Sequence, residues 1–323
     1  MRLTLMLFVL AFGCSFSTDE PEVMPPRPAM RDSIPSGPAI DPVVEPLPGT
    51  CDFRGNSGAE ETDRCTGGRS VAFVVNGLRY PDVRVERGVE MTAGFDLDGR
   101  DSSRDDAEGC FFEDFVSPDG RFGGIDNQAA PLKPSFDAFL RAPLSVLFDE
   151  AAREGRFLTV IELAHVDGPN DDCVEVSVFD AEARDPLRID DAGRLEAGQT
   201  FVVTQPRSYL NARIVEGELR ADRGGFPLPR PFLADVHHAH LRLQLDDTQA
   251  GGLVAGELPV DTAVASLRCR LERELAEDAV PFDVLEATAV SVADLRPNEF
   301  GECQGISWTV EIDAVAATVV REP

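Results

Sequence analysis

The sequence predicts a mainly β fold: an antiparallel β-sandwich, jelly-roll-like, carrying one or two accessory helices. Three observations carry that prediction. Beyond residue 50, short apolar runs alternate with clusters of Gly, Pro, Asp and Asn, which are the residues of tight turns between strands. Two of the runs alternate with period two, and only two stretches keep helical spacing. No regular strand-helix-strand alternation recurs, which argues against a parallel sheet. With 43% hydrophobic residues the chain supplies a proper core, so wholesale disorder is excluded.

The elements follow in order. Val71 to Val75, Phe157 to Leu163, Cys173 to Phe179, Phe201 to Thr204 and Asn211 to Leu219 have the length and residue types of strands. Ala239, Leu241, Leu243 and Leu245 occupy alternate positions and so share one face of a further strand, as do Ile306, Trp308, Val310 and Ile312. Helical spacing covers Leu144 to Arg153 and Asp261 to Ala276. Pro143 and Pro259 precede them, where a missing N–H costs a helix nothing. No internal repeat of fixed period is present, and residues 51–323 read as one elaborated domain.

The N-terminus is of a different kind. Arg2 precedes an apolar run from Leu3 to Phe12, too short for the roughly 30 Å of a bilayer core, so residues 1–13 read as a signal peptide. The run ends in Ala11-Phe12-Gly13-Cys14, which resembles the lipobox of bacterial lipoproteins, with Ala11 where Leu is commoner. The resemblance implies that Cys14 is acylated and anchors the mature chain to the cell envelope; Ser15 after it goes with sorting to the outer membrane. Nine of the 24 prolines then fall between Ser15 and Thr50, so residues 14–50 read as an extended, lipid-anchored tether.

In an exported chain the remaining cysteines, Cys51, Cys65, Cys110, Cys173, Cys269 and Cys303, predict three disulfides. Sequence order favours Cys51 with Cys65, Cys110 with Cys173, and Cys269 with Cys303. No C-x-x-C occurs, so neither a thioredoxin-like redox site nor a thiolate zinc site is supported.

Charge narrows the function. The 58 acidic side chains against 30 basic ones give a net charge of −28, which argues against nucleic-acid binding, since that affinity comes from neutralising phosphates. Lys133 is the single lysine, and no G-x-x-x-x-G-K-[ST], G-x-S-x-G or H-E-x-x-H motif is present. No catalytic residue is assigned. With one Trp and two Tyr, a stacking platform for sugars is poorly supplied, and Trp308 sits in an apolar row and belongs to the core.

Two stretches carry candidate sites. Gly94 to Asn127 holds eight Asp, two Glu and six Gly against three Arg. Such a loop folds tightly and offers hard oxygen ligands, as calcium requires, with Asp96, Asp98, Asp101, Asp119 and Asp126 as the expected ligands. It is not an EF-hand, because Asp101 and Ala107 stand at the loop's sixth and twelfth positions. The segments Asp96 to Gly99, Cys110, Ser117 to Gly120 and Gly124 to Gln128 resemble a stretch of uncharacterised lipoproteins from soil bacteria with large genomes, which implies envelope location and no particular activity. The second stretch is Val236-His-His-Ala-His-Leu, where strand alternation puts His238 and His240 on one face, the arrangement of a two-imidazole metal site. The expectation is therefore a cell-envelope lipoprotein acting as a binding or structural module toward a protein or envelope partner, with calcium as its cofactor. The alternative is a metal-dependent enzyme built on His238 and His240.

Overall fold

The computed structural model describes residues 65–134, 137, 142–227, 235–264 and 282–321. The signal peptide, Cys14, the tether, Cys51, Cys269 and most of the helix expected over Asp261 to Ala276 lie outside the described residues.

Among the described residues twelve strands are formed. They are β1 (Arg69–Arg79), β2 (Arg84–Glu86), β3 (Val89–Met91), β4 (Thr159–Val166), β5 (Asp171–Ala183), β6 (Gln199–Val203), β7 (Ser208–Val215), β8 (Glu218–Pro227), β9 (Asp235–Leu245), β10 (Gln249–Pro259), β11 (Leu295–Pro297) and β12 (Cys303–Arg321). The described residues also form α1 (Leu144–Arg153), as expected from its spacing, α2 (Phe282–Ser291) and a short 3-10 turn over Ala130–Leu132. The mainly β, antiparallel class holds, but the sandwich does not. Hydrogen bonding runs β1–β4–β5–β7–β8–β9–β10–β12 and returns from β12 to β1, so eight antiparallel strands close into a barrel. Closure satisfies the backbone edges that an open sandwich leaves exposed.

Side chains from all eight strands fill the interior, among them Phe73, Ile161, Val176, Leu210, Leu219, Leu241, Val254 and Val310. An eight-stranded barrel is just wide enough for such filling. Trp308 is in this core, donating its indole N–H to the Tyr80 hydroxyl at 3.1 Å. Burial pushes the Tyr80 phenol up to about 12. Phe148 and Ala151 of α1 join the same cluster.

One expected strand is a hairpin. Asn211 to Leu219 breaks at Glu216-Gly217, whose φ values of 54° and 80° suit the two central positions of a tight hairpin turn between β7 and β8. Because Glu rather than Asn or Asp fills the first position, the usual signature is missing.

Two layers cover the outside of the barrel. Residues 184–203, including β6, lie over β1 and β4, where Val74, Val160, Phe179, Leu195 and Phe201 form a second apolar core. Asn76 pins this layer by accepting from the Leu195 N–H at 2.7 Å and donating to its carbonyl. The Asp-rich stretch forms the other layer, over β9, β10 and β12. Gln128 and Ala129 donate their backbone N–H groups to Ser307 of β12, and Phe95 lies against His240 of β9 with ring centroids 5.7 Å apart.

Candidate acidic site and adjoining cavity

The Asp-rich layer is organised by its own carboxylates. Asp96 accepts the N–H groups of Gly99 at 2.6 Å and Arg100 at 3.1 Å, and Asp98 accepts that of Arg100 at 2.9 Å. These are turns of the kind Asp forms with the backbone just ahead of it. Asp126, from the far end of the stretch, accepts from Leu97 at 2.6 Å and Asp98 at 3.3 Å, and so clamps the loop from below. Gly124 brings the chain there at φ 70°, where a Cβ would stand 2.4 Å from the Arg100 carbonyl oxygen. Any larger residue at that position displaces the clamp.

Asp96, Asp98 and Asp126 each offer an oxygen within 4.8 Å of the others. Asp114 hydrogen-bonds to Asp126 and accepts the Ser102 N–H at 2.5 Å. Asp294, just before β11, accepts both the N–H and the hydroxyl of Ser307. Burial pushes Asp114 and Asp294 up to about 7, and it holds Asp126 well above the usual carboxylate range, helped by the charges of Asp114, Asp294 and Asp98. Burial also raises Asp96 and Asp98. No arginine charge is among the strongest influences on Asp114, Asp126 and Asp294, while that of Arg100 acts on Asp98. Burial disfavours the charged form of these carboxyls, and a bound cation would favour it.

Of the five expected calcium ligands, the structure brings three together. Asp101 adds its charge to the field on Asp96 and Asp114 without joining the cluster of three. Asp119 is elsewhere: it accepts from the Ser117 hydroxyl at 2.6 Å and the Arg121 N–H at 3.1 Å in an exposed turn, and the Ser117 hydroxyl holds it below the usual range. Asp114 and Asp294 were not foreseen. Asp114 was within the flagged stretch but nothing in its spacing distinguished it, and Asp294 arrives through tertiary folding alone.

The histidines part company. In β9, His237 pairs with Glu257 and His240 with Ala255, so two residues, His238 and Ala239, oppose Gly256. This is a bulge, with His238 in the left-handed region at φ 50°. Gly256 is required opposite it, since a Cβ there would meet Val236 at 2.4 Å. The bulge takes His237 out of the buried row that holds Val236, Ala239 and Leu241. His240 stacks on Phe95, while His238 turns to a cavity beside the acidic cluster. Among the described residues neither histidine belongs to a group of three metal-ligating side chains.

Disulfide pairing also departs from sequence order. Cys65 pairs with Cys173 and Cys110 with Cys303, at Cα separations of 5.6 and 6.1 Å. Cys110, within the Asp-rich loop, is therefore not paired with Cys173. It ties that loop to the start of β12 instead. No helix among the described residues is long and apolar enough to cross a membrane.

The cavity has a volume of about 570 Å³ and lies between the Asp-rich layer and the β9 bulge with β11. Asp98 belongs both to its wall and to the acidic cluster. Compared with protein families, curated proteins and solved structures, this chain finds no match. What the site does must therefore come from its chemistry. A concave space of this size with a few convergent polar groups is the usual form of a small-ligand site, and an oxygen-only acidic cluster suits a hard divalent cation.

Proposed function

We propose that this protein is an exported lipoprotein, anchored through Cys14 to the bacterial envelope, probing its surroundings from the end of a proline-rich tether as a calcium-stabilised binding module. One observation carries the calcium part: the converging oxygens of Asp96, Asp98 and Asp126, in a layer where burial raises these carboxyls and that of Asp114. The paired cysteines support export. Envelope anchoring, and outer-membrane sorting with it, rests on the lipobox resemblance and Ser15.

Calorimetric titration with calcium, paired with thermal melts in calcium and in chelator, tests the cation. Saturable binding with a raised melting temperature supports it, and no heat and no shift at millimolar calcium overturns it. Anchoring is tested by Cys14→Ala, which is expected to release the chain from the membrane fraction; retention there overturns the lipoprotein reading.

A further inference from the structure

The cavity beside the acidic cluster is lined by two ion pairs, Arg100–Glu108 and Arg296–Glu257, with Asp98 and His238 beside them. On the Asp-rich wall, Arg100 is taken up by an ion pair with Glu108, which leaves Asp98 as the charge that wall offers. Asp96 and Asp126 each place an oxygen within 4.8 Å of one of Asp98. On the facing wall, Glu257 is buried at 4% side-chain exposure while its partner Arg296 is half exposed, so the pair turns its guanidinium outward. Arg296 spends its Nε, at 2.6 Å, and one Nη on a single oxygen of Glu257, and a guanidinium has further N–H donors to give. The pairing fixes the fork in place, as recognition of an anionic group requires. His238 stands on the same wall, and Leu295 and Pro297 supply apolar surface.

Backbone strain marks the same wall. His238 at φ 50° and Arg296 at φ 54° are both L-residues held in the left-handed region. Such conformations persist where surrounding pairing imposes them, and they gather at ligand sites. Here the β9 bulge imposes one and the flanking Leu295–Gly305 and Pro297–Cys303 pairs impose the other.

We infer that this cavity binds a small zwitterion, its ammonium against Asp98 and its anionic group against Arg296 and His238. The inference rests on the binding-module reading and gives that module a ligand class. Free amino acids share this chemistry with the phosphoethanolamine headgroup of lipids, and the experiment separates them.

The full chain, purified in detergent and held in EDTA, is titrated with leucine, N-acetylleucine, leucinamide and phosphoethanolamine. Saturable one-to-one binding of leucine or phosphoethanolamine is expected, with the two singly charged leucine analogues weaker by about tenfold or more, the effect of losing one charge-assisted contact. Preference for leucine identifies a free amino acid, and preference for phosphoethanolamine a headgroup. The imidazole resonance of His238, assigned by its loss in His238→Asn, is expected to move on binding. Asp98→Asn and Arg296→Lys, checked for unchanged melting, are each expected to weaken the zwitterion about tenfold. Absence of binding by both zwitterions, or equal binding of the singly charged analogues, overturns the inference. The analogue series needs no variant, so a variant that fails to fold leaves the test decisive. Because chelator is present throughout, failure of calcium binding and failure of this inference are distinguishable.

Discussion

The two faces of one set of strands are built on opposite principles. Inside the barrel, β9, β10 and β12 contribute Leu241, Leu243, Val254, Val310 and Ile312, all fully buried and apolar. On the outer face the same strands bury Ala255, Glu257, Ser307 and Thr309 beneath the Asp-rich layer, beside Asp126, Asn127 and Asp294. Inside, contacts are apolar apart from the hydrogen bond between Trp308 and Tyr80. Outside, satisfaction depends on partners, and the buried Thr92, Ser102 and Thr309 hydroxyls and the Asn127 carbonyl oxygen have no hydrogen-bond partner. A dry interior needs only matching shapes, whereas a buried polar layer needs water or an ion to be complete. The barrel is thus the scaffold, and the layer is where a ligand has something to do.

The largest expected effect breaks the scaffold side of this contrast. Leu163 is completely buried in the barrel, so Leu163→Ala is expected to lower stability by about 2–5 kcal/mol, from lost transfer energy and the cavity left behind. Denaturant unfolding with and without calcium checks it. The loss is expected to be the same in both, because the side chain is remote from the carboxylates; a calcium-dependent loss would join two regions that the structure separates.

The next effect falls on the seam between them. Cys110–Cys303 closes a long loop and ties the Asp-rich layer to β12. Replacing both cysteines with serine is expected to cost about 2–4 kcal/mol. If the layer is a semi-independent polar cap, the loss appears first as proteolysis within residues 94–127, with the barrel still folded. A single cooperative loss of both would show that barrel and cap unfold as one.

The polar layer itself is probed by Asp126→Asn. Calcium at about a hundred times its dissociation constant stabilises a folded protein by about 2.7 kcal/mol. Asp126→Asn is expected to abolish that gain while leaving the calcium-free protein as stable as the parent or more so, because a buried carboxyl crowded by Asp114, Asp294 and Asp98 loses its repulsion. Melting in calcium and in chelator reads both halves, and a variant less stable only in chelator would contradict the account.

The same contrast decides how much was legible in advance. The strand rows of β9 and β12, the α1 helix and the burial of Trp308 followed from periodicity, because a residue on a regular element meets the core according to its position in the repeat. The acidic site was half legible: Asp96, Asp98 and Asp126 stood out through the density of Asp and Gly. Asp294 did not, since only the return of the chain into β12 brings it near. The β9 bulge was not legible, because the pairing of His238 and Ala239 opposite Gly256 is decided by the neighbouring strand. Barrel closure escaped detection because β1–β12 pairing is long-range, and sequence order of the cysteines misled for the same reason.

A pH dependence also sets the two faces apart. Asp294 is pushed up to about 7 by burial, against an ordinary carboxylate value of 3.8 in the unfolded chain. Over that window the folded protein binds more protons than the unfolded one, so stability falls as pH rises from about 4 to about 7 and levels off above it. The slope for one such group is at most about 1.4 kcal/mol per pH unit. Asp294→Asn is expected to flatten this slope in chelator. Calcium acts in the opposite sense, since its ligands must lose their protons to bind it, and its affinity is expected to rise with pH over the same range. Urea unfolding at intervals between pH 4 and 8, with and without calcium, separates the two. A stability that climbs with pH in chelator would mean that the buried carboxyls are ionised without a cation, which the absence of an arginine among the groups acting most strongly on Asp294 opposes.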